Sequence, residues 1–277
     1  MRPVAVLNTR AVQGTVAGSI LSWVTWLDTD FGSSEWEPRK VAIVTALVLG
    51  VIRVAFGDAY GVSWYSLTHG AVSGYLSAMA VWLSIFAAVP MTGMSEPLRS
   101  ITCHGPLTSL HRFVPAITMG YGLFDIFDGF SHGIDFLLHG LATFSVMAYF
   151  CEYDLAEVIT PMLLMEISTP HLALMRMSLF SETGLAINML LFTIMFFMFR
   201  LVICPYLWWE ILSITWEHRH DPASQACLPW HFKYVVFSFG MFFNCLNAYW
   251  AVKIFKKIQR KLSGIEKVKD KNHLKDG

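Results

Sequence analysis

Long apolar runs follow one another along most of this chain, and short polar stretches separate them. The runs are continuous, so they lack the alternation of apolar and polar residues that membrane β-barrel strands show. A transmembrane helix needs about 20 mostly apolar residues; by that measure the first two runs are marginal and the other six are adequate or long. The runs lie at about 11–27, 41–56, 62–89, 113–130, 134–150, 157–179, 185–212 and 232–252. The pattern predicts an all-α, polytopic transmembrane helical bundle with about six core spans and one or two N-terminal spans.

The composition agrees with a membrane protein. Of the 277 residues, 55% are hydrophobic and only 14% are charged, which is far more apolar than an ordinary soluble domain. Basic residues concentrate near the C-terminus, where nine Lys and Arg from Lys253 onward face only three acidic residues. Because this basic segment follows directly on an apolar run and carries no aromatic interleaving, nucleic-acid binding is not expected.

Three regions follow from this pattern. Residues 1–61 hold one or two transmembrane helices, residues 62–256 form one membrane domain, and residues 257–277 form a basic tail. The positive-inside rule places the basic tail in the cytosol, and counting back through eight spans places the N-terminus there too. Cys103 and Cys227 lie in two loops on the opposite side, where a disulfide and two free thiols both remain open.

A stripe of ionisable residues interrupts the apolar pattern at spacings of three, four, three and four, which is the spacing of one helical face. Charge at bilayer depth costs roughly 2.5–3.5 kcal/mol per residue, so the stripe indicates an intramembrane site for chemistry or ions. An alternative is a short hairpin at Gly129 and Gly133, which breaks the stripe and leaves its three central members solvated at the membrane surface. The stripe consists of Asp125, Asp128, His132, Asp135 and His139.

Glu166 falls near the middle of a later apolar run. Pro170 lacks an N–H and clashes with the carbonyl of residue 166, so the helix is expected to kink there and leave carbonyl groups free for other partners. Arg200 lies in the middle of the next long run. Because an isolated charge at this depth is costly, Glu166 and Arg200 are predicted to form a pair.

In combination, these features resemble the TLC-domain family, which includes ceramide synthases, translocation-associated membrane proteins, endoplasmic-reticulum cargo receptors and other lipid-handling proteins. The resemblance covers about residues 62–256 and rests on the order and spacing of several short stretches. These are Ser66-Leu67-Thr68-His69 with Ser73-Gly74, Gly120 to Asp125, His139-Gly140-Leu141-Ala142-Thr143, Glu166 to Pro170, Arg200 with Pro205-Tyr206 and Trp208, and Leu246 to Trp250.

The resemblance implies a bundle of at least six helices around a cavity that is open to the cytosol and the bilayer and is large enough for a lipid chain. It also implies an endoplasmic-reticulum location and a membrane lipid as partner, with a sphingolipid or a fatty acyl-CoA as candidates, and it leaves a homodimer open. No resident cofactor or metal is expected. The polar side chains expected around the cavity are His69, Asp125, Asp128, Thr143, Ser168, Thr169 and Arg200.

The chain departs from the ceramide synthases at two motifs. Their His-His-x-x-Thr is His139-Gly140-x-x-Thr143 here, and a His-Asp pair is replaced by Met165-Glu166. His139 and Glu166 are therefore the candidate catalytic residues: a neutral imidazole can attack an acyl thioester, and a carboxylate can orient it or take a proton from an amine. Because half of each pair is lost, the sequence is closer to the non-synthase branches.

Several functions are compatible with these residues. The favoured one is a lipid-handling protein that binds or senses a lipid in its central cavity and influences membrane lipid composition. Whether the chain is an enzyme stays open; an acyl-CoA-dependent N-acyltransferase, with acyl-CoA as co-substrate, is the first alternative. A metal-dependent intramembrane lipid hydrolase that uses the ionisable stripe as ligands is the second. A cargo receptor is the third, although the C-terminus lacks a dilysine ending.

Overall fold

A computed structural model describes residues 38–57, 59–87, 109–153, 155–217, 220 and 228–262. Across these residues the structure is helical and holds no strand. The predicted 11–27 run, the two termini, and Cys103 with Cys227 lie outside the described residues.

Seven helices make up the described part of the chain. Four are regular α-helices: α1 (Pro38–Phe56), α3 (Ser109–His132), α4 (Ile134–Glu152) and α7 (Phe232–Leu262). The other three change helix type along their length. They are α2 (Trp64–Gly70, Ala71–Tyr75 and Leu76–Ala87), α5 (Ala156–Ile159, Thr160–Ser168, Thr169–Ala173 and Leu174–Arg176) and α6 (Glu182–Met195, Phe196–Ile203 and Cys204–Glu217).

Within the described residues, three helices are long and apolar enough to cross a membrane. They are Ile134–Glu152, Glu182–Glu217 and Phe232–Arg260. Large apolar side chains are also exposed along the bundle, among them Val51, Leu190 and Phe255. Over the described residues these observations confirm an all-α structure with three candidate membrane spans, and the total of about six core spans stays a prediction.

The segments that depart from α geometry face one another. Ala71–Tyr75 of α2 and Phe196–Ile203 of α6 are π-helical, and Thr160–Ser168 of α5 is a 3₁₀-helix. π-Segments inside α-helices occur frequently at functional sites, and a 3₁₀ stretch within a helix often marks strain or a hinge. The irregular part of α5 contacts both π-segments, so the irregular backbone is concentrated in one region of the bundle.

Helices α2 and α5 cross in close contact at two glycines spaced four residues apart, with backbone against backbone at Gly74. A Cβ atom on Gly74 would lie 2.6 Å from the backbone nitrogen of Ile167, and one on Gly70 would lie 2.7 Å from Pro170 Cδ. Small residues at this spacing let membrane helices approach closely. This crossing brings α2 directly against the segment that carries Glu166.

Helices α3 and α4 form an antiparallel hairpin. Gly133 separates them with a φ of +129°, a conformation that favours glycine. A Cβ atom on Gly140 would lie 2.8 Å from the backbone nitrogen of Ile126, so the two helices also meet in backbone contact.

This hairpin corrects the prediction of one ionisable helical face and agrees with the alternative of a hairpin that breaks the stripe. The turn itself falls at Gly133, whereas Gly129 lies inside α3 and faces the backbone of Leu137. The stripe is thereby folded back on itself, and its members belong to two antiparallel helices.

A hydrophobic core lies among α1, α3, α4, α5, α6 and α7. Its buried members include large side chains from each of the later helices, and they surround the region in which the functional site is described below. The core comprises Ala42, Val114, Met119, Val146, Met147, Phe150, Leu155, Val158, Ile159, Leu163, Ile211, Ile214, Phe232 and Val236.

Candidate functional site

Glu166 and Arg200 form a buried ion pair at the centre of the irregular segments. Arg200 Nη2 lies 3.1 Å from Glu166 Oε1, and both side chains are about 7% exposed. Thr169 Oγ1 donates a hydrogen bond of 2.6 Å to the other carboxylate oxygen. The predicted pairing of Glu166 and Arg200 is confirmed.

Arg200 also binds groups on two further parts of the bundle. Its Nε donates to the carbonyl of Met165 at 3.0 Å and to Ser168 Oγ at 3.1 Å, and its Nη1 donates to Asn247 Oδ1 at 3.3 Å. Met165 belongs to the 3₁₀ stretch just before Pro170, so the guanidinium takes up a carbonyl at the predicted local break. Arg200 thereby connects α5, α6 and α7 through one side chain.

His69 approaches the same carboxylate from α2. Its Nε2 lies 3.6 Å from Glu166 Oε2, and its Nδ1 lies 3.1 Å from Ser73 Oγ. These partners favour the tautomer with the proton on Nε2. The His69 ring stacks on Tyr121, with ring centroids 3.4 Å apart, and Thr118 Oγ1 donates to Ser73 Oγ at 2.9 Å. The imidazole is therefore held at both ring nitrogens and on one ring face.

His139 pairs with Asp125 across the α3–α4 hairpin. Its Nδ1 lies 3.0 Å from Asp125 Oδ2, and both side chains are buried. A neutral imidazole that donates from Nδ1 keeps Nε2 as an acceptor. Two aromatic rings join this pair to the Glu166 cluster. Tyr121 lies between His69 and His139, and Trp250 lies within 5.7 Å of both the His139 centroid and the Arg200 guanidinium carbon.

A cavity enclosed by α2 to α7 adjoins these clusters, and we call it the central cavity. The space between its lining atoms, including the solvent-filled open mouth, is about 790 Å³. Its lining combines a few polar side chains with a larger number of aliphatic, aromatic and Met side chains. The lining residues are His69, Thr118, His139, Thr143, Val146, Met147, Phe150, Val158, Ile159, Met162, Leu163, Met165, Glu166, Cys204, Trp208, Ile211, Val236, Phe239, Gly240, Phe243, Asn244 and Asn247.

The lining is polar at one end of the central cavity and apolar at the other. On α4 the lining passes from His139 through Thr143 to Phe150, which covers about 16 Å at 1.5 Å per residue. On the antiparallel α7 it passes from Val236 to Asn247. The polar end is defined by His69, His139, Thr143, Glu166, Asn244 and Asn247, and the apolar end by Val146, Met147, Phe150, Val158, Ile159, Met162, Leu163, Ile211, Val236 and Phe239.

Trp208 closes one side of the central cavity. Its indole nitrogen donates to the carbonyl of Val236 at 2.9 Å, and its ring lies over Gly240, where a Cβ atom would come within 1.7 Å of that nitrogen. Only glycine at position 240 leaves room for this ring. The seam between α6 and α7 is therefore sealed beside the apolar end.

The predicted site residues divide into three groups. His69, His139, Thr143 and Glu166 line the central cavity. Asp125, Ser168, Thr169 and Arg200 lie behind this lining and are hydrogen-bonded to one another or to lining residues. Asp128 does not join the site: its carboxylate lies 3.3 Å from Arg53 Nε on α1.

The ionisable stripe is not assembled into one ligand set. Asp125 and His139 pair with each other, whereas Asp128 binds Arg53 and Asp135 lies 3.2 Å from Lys253 on α7. Among the residues that the structure describes, no three His, Cys, Asp or Glu side chains are grouped as metal ligands. The hairpin separates the carboxylates because each turns toward a different neighbouring helix.

Several polar contributors were not predicted from the sequence, among them Asn244 of the lining. Asn247, which is 2% exposed, binds Arg200, while Tyr121 and Thr118 support His69 directly or through Ser73. Asn247 and Tyr121 each lie in a stretch that carries the family resemblance, which is the signal that could have pointed to them. Thr118 carries no such signal, because an isolated hydroxyl residue in an apolar helix is compatible with ordinary packing.

Comparison with known proteins gives one result for this site. A family model described as the TLC domain matches residues 60–256, a range that holds all of the central cavity lining. No match was found among curated proteins or among solved structures.

Proposed function

Because this chain belongs to the TLC-domain family, we propose that it binds or senses a membrane lipid in the central cavity and thereby influences membrane lipid composition. The TLC domain indicates a membrane protein concerned with lipids, and the helices are compatible with an integral position in the bilayer. In this proposal the lipid occupies the central cavity.

The observation that carries this proposal is the division of the central cavity into a polar and an apolar end. An acyl chain can lie along the apolar end, where burial of methylene groups gives about 0.8 kcal/mol each. A headgroup then meets His69, His139, Glu166 and Asn247 at the polar end. Ligand sites are usually of this kind, with apolar walls and a few placed polar groups.

The cellular setting belongs to the same proposal. We place the chain in the endoplasmic-reticulum membrane, with both termini in the cytosol, residues 62–256 as the lipid-handling domain and residues 257–277 as a basic tail. A sphingolipid and a fatty acyl-CoA are the first ligands to examine, and association into a homodimer can be measured on the same purified sample.

Filling the cavity tests lipid binding. Met147 lines the central cavity and is 3% exposed, whereas Met198 on α6 is 49% exposed and lies outside the lining. We expect Met147→Trp to lose the lipid that copurifies with the protein and Met198→Trp to retain it, as measured by native mass spectrometry and lipid extraction. Equal lipid occupancy in two variants of normal helical content would contradict the proposal.

Acyl transfer is the second candidate, and one observation favours it. His139 faces the cavity while Asp125 holds its other ring nitrogen, the arrangement by which a carboxylate orients a catalytic imidazole. If the chain transfers acyl groups, deletion of the gene removes a defined N-acyl lipid, and His139→Ala fails to restore it. Asp125→Asn should then lower the rate while the lipid stays bound. Full restoration by His139→Ala would exclude this candidate.

A further inference from the structure

We propose that the central cavity selects an uncharged acyl lipid whose head carries a hydroxyl group and a carbonyl group close together, such as a monoacylglycerol or an N-acylethanolamine. This inference rests on the proposed function, because it names the chemical class of the lipid that the cavity binds. It follows from which atoms at the polar end are already paired and which are not.

The charged groups at the polar end are occupied. Glu166 gives one oxygen to Arg200 and the other to Thr169 and His69. The Arg200 guanidinium donates its hydrogen bonds to Glu166, to Asn247 and to the 3₁₀ stretch of α5, and Arg200 is not a lining residue. No Lys or Arg is found among the described residues that line the cavity. An anionic head would therefore meet the Glu166 carboxylate, with no Lys or Arg in the lining to receive it.

Two buried lining residues keep a free hydrogen-bonding atom. Asp125 engages Nδ1 of His139, and Arg200 engages Oδ1 of Asn247. Across the described part of the chain, no group binds His139 Nε2 or Asn247 Nδ2. Among the described residues, Tyr149 Oη is the side-chain nitrogen or oxygen that is fully enclosed and has no hydrogen-bond partner. His139 Nε2 and Asn247 Nδ2 have no partner either and are not in that class, so they border open space. The open space beside them is the central cavity.

These two atoms define a complementary head. With its proton on Nδ1, His139 presents an acceptor at Nε2, and Asn247 presents an amide donor at Nδ2. A lipid hydroxyl can donate to the first, and a lipid carbonyl can accept from the second. A primary ammonium carries donors only, so it would leave the Asn247 amide without an acceptor.

The dimensions of the cavity favour one acyl chain. Its lining extends for about 16 Å along α4, from His139 to Phe150. Thr143 and Asn244 lie one helical turn from His139 and Asn247 and can bind a second head oxygen. A single-chain lipid with a small neutral head therefore fits both the length and the polarity.

The test compares five probes with the same oleoyl or oleyl chain on the full-length protein in nanodiscs. The probes are 1-oleoylglycerol, N-oleoylethanolamine, oleate, oleoyl lysophosphatidate and oleylamine, and occupancy is read by native mass spectrometry. We expect at least one neutral probe to bind about tenfold more tightly than either anion or the amine, which corresponds to about 1.4 kcal/mol. The comparison between the two neutral probes shows whether the cavity prefers a lipid whose head carries an ester or one whose head carries an amide.

Other outcomes overturn the inference in distinguishable ways. Tighter binding of oleate, lysophosphatidate or oleylamine overturns the selection of a neutral head and leaves lipid binding in place. Binding of none of the five probes overturns the proposed function together with this inference.

Two variants check the polar end independently of the probe series. Thr143→Val should weaken binding of the neutral probe by about threefold to tenfold, as expected for one lost hydrogen bond. Thr193→Val is its control, because Thr193 Oγ1 binds the Met189 carbonyl away from the cavity. Asn244→Lys adds a cation to the lining and should shift preference toward oleate. Unchanged preference in a folded Asn244→Lys protein would contradict the charge argument.

Discussion

Arg200 carries the largest share of the polar contacts in the site, since its guanidinium group on α6 binds both α5 and α7. A charge that is buried in apolar surroundings needs its partner, and removal of one member of a buried pair typically costs about 3–5 kcal/mol. The site is therefore expected to respond to charge balance more than to the identity of either residue.

Charge balance gives the first prediction. Glu166→Gln and Arg200→Leu should each lower the thermal stability of the purified protein, because each single variant leaves one charge unpaired. The double variant should lose less stability than the sum of the two single losses. Differential scanning fluorimetry in detergent measures this coupling. Additive losses would show that the pair is not energetically coupled.

A surface ion pair provides the control for this cycle. Glu152 binds Arg39 and is partly exposed, and exposed pairs contribute about 0–1 kcal/mol. Glu152→Gln should therefore change stability little. A loss as large as that of Glu166→Gln would mean that burial does not explain the difference.

At the residue scale, the sequence was sufficient where a charge lay inside an apolar run. The cost of an unpaired charge led to the pairing of Glu166 with Arg200, and the structure confirms it. The roles of Asn247 and Tyr121 could not be predicted, because an amide or a phenol gains its function here from helices that are distant in sequence. Asp128 was misplaced because spacing alone does not reveal Arg53 on α1.

At the scale of elements, the helices were predictable and their irregular segments were not. Every apolar run that falls in the described residues corresponds to a helix. Pro170 indicated a local break, yet the 3₁₀ stretch extends back to Thr160. The π-segment Ala71–Tyr75 contains no proline, so no local signal marks it. Packing against α5 accompanies this change of geometry.

The α2–α5 crossing gives the second prediction. Gly74→Ala would place a Cβ atom 2.6–2.7 Å from the backbone of Ile167 and Glu166, and backbone cannot yield as a flexible side chain can. Overpacking of this kind costs about 1–3 kcal/mol. We expect lower thermal stability and weaker lipid binding, because the crossing positions His69 against Glu166.

The control is a glycine with open space around it. A Cβ atom on Gly50 of α1 would meet nothing within 4 Å. Gly50→Ala should be neutral or slightly stabilising, since alanine is the better helix former. A loss equal to that of Gly74→Ala would point to a general glycine effect and would count against the crossing.

At the scale of the whole molecule, orientation is the third prediction. The basic segment that begins at Lys253 resists translocation, so tags at both termini should be accessible after selective permeabilisation of the plasma membrane. A protected C-terminal tag would reverse the orientation. A protected N-terminal tag alone would mean that one of the first two apolar runs does not span the membrane.

The central claim is that one lipid chain lies inside the bundle, with its head at His139 and its tail toward Phe150. The most direct measurement uses a photoactivatable acyl lipid with a diazirine at the chain terminus, followed by peptide mapping of the crosslinks. The account predicts labelling of lining residues at the apolar end, among them Met147, Phe150 and Ile211, which excess unlabelled lipid prevents. Labelling confined to outward residues such as Leu190 and Ile194 would contradict it.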